Sequence, residues 1–276
     1  MATALVLGGG GVVGVAWETG VLTGLAEAGL DLRDAGLVVG TSAGAVVGAQ
    51  ITSGLTLPEL YSRQLAPPTG ELAAAMGPKV LLRYAAAAVH RSDRAALAHL
   101  GHLALRARTV PEEERRAVIA GRLPVHAWPD PPRLRVTAVD AETGEEVVFD
   151  AASGVDLVSA VAASCAVPIV WPTVTIDGRR YMDGGVRSPA HVHLAAGCDR
   201  VIVLAPITGG IRRSGRVAVE IAALGPDVRS LVVTPDPEAR AAMGRNALDP
   251  ARRAASARAG HRQAATLVDA VTRTLD

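Results

Sequence analysis

The stretch VVGTSAGAVVG, residues 38–48, sets Ser42 between Gly40 and Gly44 directly after a short β-branched run. β-Branched residues favour strands, and the small residues that follow suit a helix, so the pattern predicts a strand turning at once into a helix. Such a turn is a tight elbow. The residue at its apex is held in a strained conformation, with its side chain exposed above the sheet edge. Glycines flank it because strand and helix pack too closely there for a Cβ. The helix N-terminus beneath Ser42 carries a positive partial charge, which favours negative charge developing at a reacting centre. A nucleophilic serine fits this frame, and so does a small-residue turn with an N-capping serine.

Working outward, TALVLG (3–8) reads as a buried strand, and GVAWETGVLTGLAEAG (14–29) as a helix closed by Gly29. AGLVVG (35–40) is the strand before Ser42, and AGAVVGAQITSG (43–54) the helix after it. The chain therefore opens strand, helix, strand, helix, which argues for a mostly parallel sheet with helices on its faces. Residues 56–122 are rich in Ala, Leu and Arg, with breaks at Pro58, Pro67–Pro68, Gly77–Pro78, His90–Asp93 and Pro111. This reads as several short helices covering the sheet. A loop at 124–132 leads to RLRVTAVD and EEVVFD, a hairpin joined by AETG. GVDLVSAVAAS (154–164) is a helix, and two short strands flank the turn Asp177–Gly178. DRVIVLAP (199–206) and VRSLVVTPD (228–236) are further buried strands. The end of the chain, 247–275, reads as one long helix with Asp249 as N-cap and Pro250 in its first turn. The fold expected is a three-layer α/β/α unit over 1–276, with a central, mostly parallel sheet and no evident domain boundary.

Composition excludes some partners. In 276 residues, 28 basic and 27 acidic side chains give a net charge of +1, too balanced for a strong pull toward nucleic acid or an anionic membrane surface. Two cysteines, Cys165 and Cys198, are expected as free thiols of a reducing compartment. The N-terminus lacks a basic region and a long apolar run, and no stretch is long enough to span a bilayer, so a cytoplasmic protein is expected.

Two further elements carry chemistry. GGGGVVG, Gly8 to Gly14, lies between a strand and a helix, where glycine amides can converge on an oxyanion. Gly9, Gly11 and Gly14 also fit a dinucleotide fingerprint, with Asp31 near the place of a ribose-binding acid. In MDGGV, Asp183 precedes Gly184 and Gly185; a carboxylate there is a candidate base for a serine hydroxyl, and equally an ordinary turn residue. Of the seven histidines only His191 and His193 closely follow Asp183. A Ser–Asp–His order would suit a hydrolase triad, but SPAHVHLAAG reads as the start of a helix, where the two cannot both face one site, and ordinary polar surface is expected for them. No cluster has zinc-ligand spacing.

Taken in order, the Gly-rich loop, G-x-S-x-G and Asp-Gly-Gly resemble the patatin-like phospholipase family, and SCAVPIVWPTVTIDGRRYMDGGVRSPA is similar to the block that precedes and contains that family's third motif. The resemblance covers residues 3–206. It implies a Ser–Asp dyad with Ser42 as nucleophile and Asp183 as base, without histidine. It places the oxyanion on the amides of Gly9, Gly10 and Gly11, with Gly14, Gly40, Gly44, Gly184 and Gly185 supporting the motifs. It implies a lipid or lysolipid ester as substrate, transient contact with a membrane surface, and no cofactor or metal. The usually basic position of the first motif is Val13 here, which puts a preference for anionic headgroups in question. Two other readings stay open: a nucleotide-binding module using Gly9–Gly14, and a scaffold of the same fold with little catalysis.

Overall fold

The computed structural model describes residues 1–131 and 133–276. The elements run β1 (Thr3–Leu7), α1 (Gly11–Glu27), β2 (Leu37–Gly40), α2 (Ala43–Ile51), α3 (Leu57–Leu65), α4 (Pro78–Ala88), α5 (Asp93–Leu105) and α6 (Glu112–Arg122). They continue with β3 (Leu134–Asp140), β4 (Glu146–Phe149), α7 (Leu157–Ser164), β5 (Val174–Ile176), β6 (Arg179–Asp183), β7 (Arg200–Leu204), α8 (Val217–Ala223), β8 (Arg229–Val233), α9 (Pro237–Met243), α10 (Arg253–Ala264) and α11 (Val268–Leu275). The expected loop is irregular from 124 to 131, and Pro132 lies outside the described residues.

The sheet is mostly parallel. β8, β7, β1, β2 and β3 pair in that order, all parallel, while β4, β5 and β6 join antiparallel. Alternate residues of β1 and β7 face opposite layers. Leu5, Leu7, Ile202 and Leu204 enter a large core with α1, α2, α7 and α10; Val6, Val201 and Val203 enter a smaller one with Val192 and Val217. The expected α/β/α architecture is therefore present, with most of its helical mass on one face. α1 and α10 pack at the distance only small residues allow: a Cβ on Gly24 would sit 2.6 Å from that of Ala264, and Gly20 and Gly260 abut carbonyls of the facing helix.

The register around β3 positions the site. Val136 lies between Phe149 of β4 and Gly40 of β2, while Ala138 lies between Val147 of β4 and Asp183 of β6. A strand has two edges, so β2 and β6 share the edge opposite β4. They run along it toward each other and meet at Thr137, which brings the C-terminal ends of β2 and β6 together.

Two local expectations change. The terminal helix is not continuous. Asp249 caps a short 3-10 turn at Pro250–Arg252, and α10 and α11 are separated at 265–267, where the Thr266 and Leu267 amides bond back to Gln263 and Ala264. The break lets α11 turn onto β7 and β8. SPAHVHLAAG forms only a 3-10 turn, Val192–Ala195, because His191 adopts a left-handed conformation with φ 51°.

Candidate active site

Ser42 sits at the apex between β2 and α2 with φ 52° and ψ −109°. A non-glycine residue there is strained by roughly 1–3 kcal/mol and persists only if its surroundings hold it. Here they do. The Ser42 amide donates to Ser164 Oγ at 2.8 Å, and the Cys165 thiol donates to the Ser42 carbonyl. The Gly44 amide donates to the Gly8 and Thr41 carbonyls, and the Thr41 amide to Leu7. The crowding inferred for the flanking glycines is present. A Cβ on Gly40 would lie 2.6 Å from Ala45 Cα, and one on Gly44 would collide with the Leu7 carbonyl.

The glycine loop crosses directly over Ser42: a Cβ added to Gly9 would point at the Ser42 Cβ, 3.6 Å away. The amides of this loop do not all remain free. Gly8 donates to Leu204 and to Glu18 Oε1, and Gly9 donates to the Pro189 carbonyl at 2.7 Å. Gly9 therefore has no N–H to offer an oxyanion, which corrects the expectation for that residue. The amides of Gly10 and Gly11, at the N-terminus of α1, meet no acceptor among the described residues. Gly11 has φ +61°, and a side chain there would strike Ala247. Gly14 packs against Ala43 and Pro206. Val13 is buried in the core and brings no charge to the loop.

Asp183 ends β6 and is 4% exposed. Burial pushes its carboxyl up to about 7, against the Ser42 hydroxyl, the Gly185 amide and the more distant Arg115, which pull it down. The Gly185 amide donates to Asp183 Oδ1 at 2.7 Å. The Ser42 hydroxyl acts on this carboxyl as a hydrogen-bonding neighbour, which sets the two side chains beside each other. Gly184 is required by contact: a Cβ there would lie 2.7 Å from the Thr137 carbonyl. On Gly185 it would lie 2.9 Å from Asp183 Oδ1 itself. Cys165, beside Ser42, is pushed up to about 12 by burial and by Asp183, so it stays a neutral thiol.

The histidines depart from the expectation of polar surface. His191 is wholly buried and its Nδ1 lies 3.0 Å from Thr41 Oγ1, which also bonds Thr137 Oγ1 at 2.9 Å. Burial lowers its pKa to about 4, so it is neutral and supports the elbow through Thr41. His193 is half-buried between Glu146 (3.0 Å) and Glu220 (3.3 Å), which raise it to about 9. Neither ring bonds Ser42. Asp31 caps the turn at Leu32–Asp34 and pairs with Arg33. It lines a cavity with Thr3 and Ala4 at the start of β1, whereas the glycine loop follows its end; a strand of this length spans about 17 Å. Asp31 and Gly9–Gly14 thus cannot share one nucleotide.

Ser42 opens into a narrow cleft walled by Val12, Val15, Leu72, Arg115, Trp171 and Leu248. Through Val12, Val15 and Arg122 this cleft adjoins a larger cavity of about 540 Å³. Arg115 and Trp171 were not singled out from the sequence. The signal available for Arg115 is its spacing of four from Ile119, the other buried residue of α6.

In structure the chain is similar to VipD from Legionella pneumophila, at 12% identity and TM-score 0.48, covering 98% of this chain and 66% of that one. It is also similar to the type III effector protein ExoU, at 15% identity and TM-score 0.45, covering 98% of this chain and 53% of that one. The chain thus spans about two thirds and half of those proteins. No curated protein matches it in sequence. Residues 5–196 match the family described as Patatin-like phospholipase, over a span holding the glycine loop, Ser42 and Asp183. The chain belongs to the patatin-like phospholipase family.

Proposed function

We propose that the protein hydrolyses lipid acyl esters through an acyl-Ser42 intermediate, with Asp183 as the base. The observation that carries this reading is the meeting of β2 and β6 along β3. It sets a strained, narrowly exposed serine beside a buried carboxyl whose pKa lies near 7. A carboxylate in water is a weak base. One whose pKa matches the working pH is a better one, because it is ionised often enough and holds the proton once taken.

Asp183 takes the Ser42 proton as Oγ attacks the ester carbonyl, and the electron pair of the carbonyl moves to its oxygen. The amides of Gly10 and Gly11 and the N-terminus of α2 face that oxyanion. Collapse expels the alcohol, which takes the proton from Asp183. Water then attacks the acyl-Ser42, giving its proton to Asp183, and the second collapse releases the acid and returns the proton to Ser42. The apolar cleft walls suit an acyl chain. Ser42→Ala removes the nucleophile and leaves the packing intact. Esterase turnover on short acyl esters is expected to fall about a thousandfold or more, with the melting temperature little changed. Wild-type turnover in that variant would remove the reading.

A further inference from the structure

Arg115 is 5% exposed, yet its Nε and Nη1 meet no acceptor. Neighbouring Arg116 behaves as surface arginines do, bonding Asp156 and Ser159. Arg115 instead turns inward and lays its guanidinium over the ring of Trp171, 4.0 Å from the centroid. The indole Nε1 of Trp171 is also buried without a partner. Both side chains line the cleft that holds Ser42.

A buried guanidinium with no hydrogen-bonded anion is costly, and Asp183 and Glu71 act on this one only from a distance. The ring face offsets part of this and fixes the plane of the guanidinium. The rest calls for an acceptor. No anion lines the cleft among the described residues: its polar side chains are Ser42, Arg115, Arg122, Cys165 and Trp171. Arg122 is already committed to Glu71. Arg115 therefore presents a free positive fork, and Trp171 a free N–H, beside the nucleophile. Its pKa, lowered by burial to about 10, leaves it charged at neutral pH.

Given that Ser42 is the nucleophile, we infer that Arg115 and the Trp171 N–H bind an anionic group, phosphate or carboxylate, carried by the substrate close to the ester that Ser42 attacks. A planar fork takes two oxygens of such a group at once. The charge that the first motif lacks at Val13 is thus delivered by α6, and the protein prefers acyl esters bearing a negative charge near the ester over neutral ones.

The test has two arms. In the first, the ratio of kcat/KM for a lysophosphatidate to that for the monoacylglycerol of equal chain length is measured for the wild type, Arg115→Met and Arg115→Lys. The wild-type ratio is expected to exceed one by about tenfold or more, to fall at least tenfold in Arg115→Met, and to be partly kept in Arg115→Lys. In the second, calorimetry on the Ser42→Ala protein follows binding of dodecyl phosphate, laurate and dodecanol, with and without Arg115→Met. Binding of dodecyl phosphate or laurate should weaken about tenfold relative to dodecanol, and whichever loses more names the anion. Equal losses on charged and neutral ligands, or no loss, overturn the inference. So does a mere displacement of the pH profile, which would make Arg115 a positioning residue for Asp183. If the wild type hydrolyses no ester, the proposed function falls, while the binding arm still decides the role of Arg115.

Discussion

Two residues carry opposed demands. Ser42 must be held against its backbone preference, and Asp183 must be held where water barely reaches it. Burial that suits Asp183 to the proposed role of base also makes its charge expensive. Between the ordinary aspartate range and about 7, the unfolded chain is ionised while the folded one keeps its proton. Stability from this group is therefore present at low pH and lost as pH rises through 7. Asp183→Asn keeps the shape and removes the titration. It should lose most activity, since an amide accepts no proton. At pH 8 it should be more stable than the wild type by roughly 1–3 kcal/mol, an advantage that shrinks on acidification, because each pKa unit is worth about 1.4 kcal/mol. Denaturant unfolding at pH 5 and 8 measures it; an Asn variant destabilised at both pH values would contradict the burial cost. In the wild type, kcat/KM should rise through an acid limb near pH 7. His191→Ala strips a partner from Thr41 beneath the elbow and leaves a cavity, so it should cost about 2–4 kcal/mol. The folded fraction should keep activity within about tenfold, because the ring is neutral and turned to Thr41. A thousandfold loss in turnover would instead make His191 the base.

At the scale of elements, the glycines divide into those that permit packing and one that permits access. Gly44→Ala drives a methyl into the Leu7 carbonyl, where backbone meets backbone. It should destabilise by about 3 kcal/mol. Gly9→Ala finds ordinary contact distances and a φ outside the left-handed region, so it should fold normally. Its methyl would stand over Ser42, 3.6 Å from its Cβ, in the place the proposed ester takes, and kcat/KM should drop while the melting temperature holds. A fully active Gly9→Ala would place the substrate elsewhere. These elbows and strands were legible in the sequence because their causes are local: β-branched runs, glycines at fixed offsets and a turn such as Asp177–Gly178. Other features were not, because their causes lie across the fold. Nothing in ATL at 265–267 breaks a helix; the break follows from α10 docking on α1 and α11 docking on the sheet. Arg115 and Arg116 are adjacent identical letters, and only the docking of α6 decides which one faces the cleft. The Gly9 amide read as free until Pro189, 180 positions away, claimed it.

The whole molecule is a sheet loaded mainly on one face, and its thinner face holds the ion network of Glu146, Glu220, Arg187 and His193. His193 is raised from the ordinary imidazole range to about 9 by its two carboxylates. Its stabilisation is complete at acid pH, declines from about pH 6.5 and is gone above 9. Thermal unfolding should therefore shift down between pH 7 and 10, and His193→Gln should flatten that decline. An unchanged slope would place the titration elsewhere.

Edge-sharing of β2 and β6 along β3 is expected to build a nucleophile at Ser42, and a fluorophosphonate reacts far faster with a serine so activated than with an ordinary hydroxyl. The measurement is labelling of the intact protein with that probe, followed by mass spectrometric mapping of the modified residue. One adduct on Ser42 is expected, absent from Ser42→Ala and much slowed in Asp183→Asn. An adduct on another residue, or labelling of Ser42 at an unchanged rate in Asp183→Asn, would contradict it.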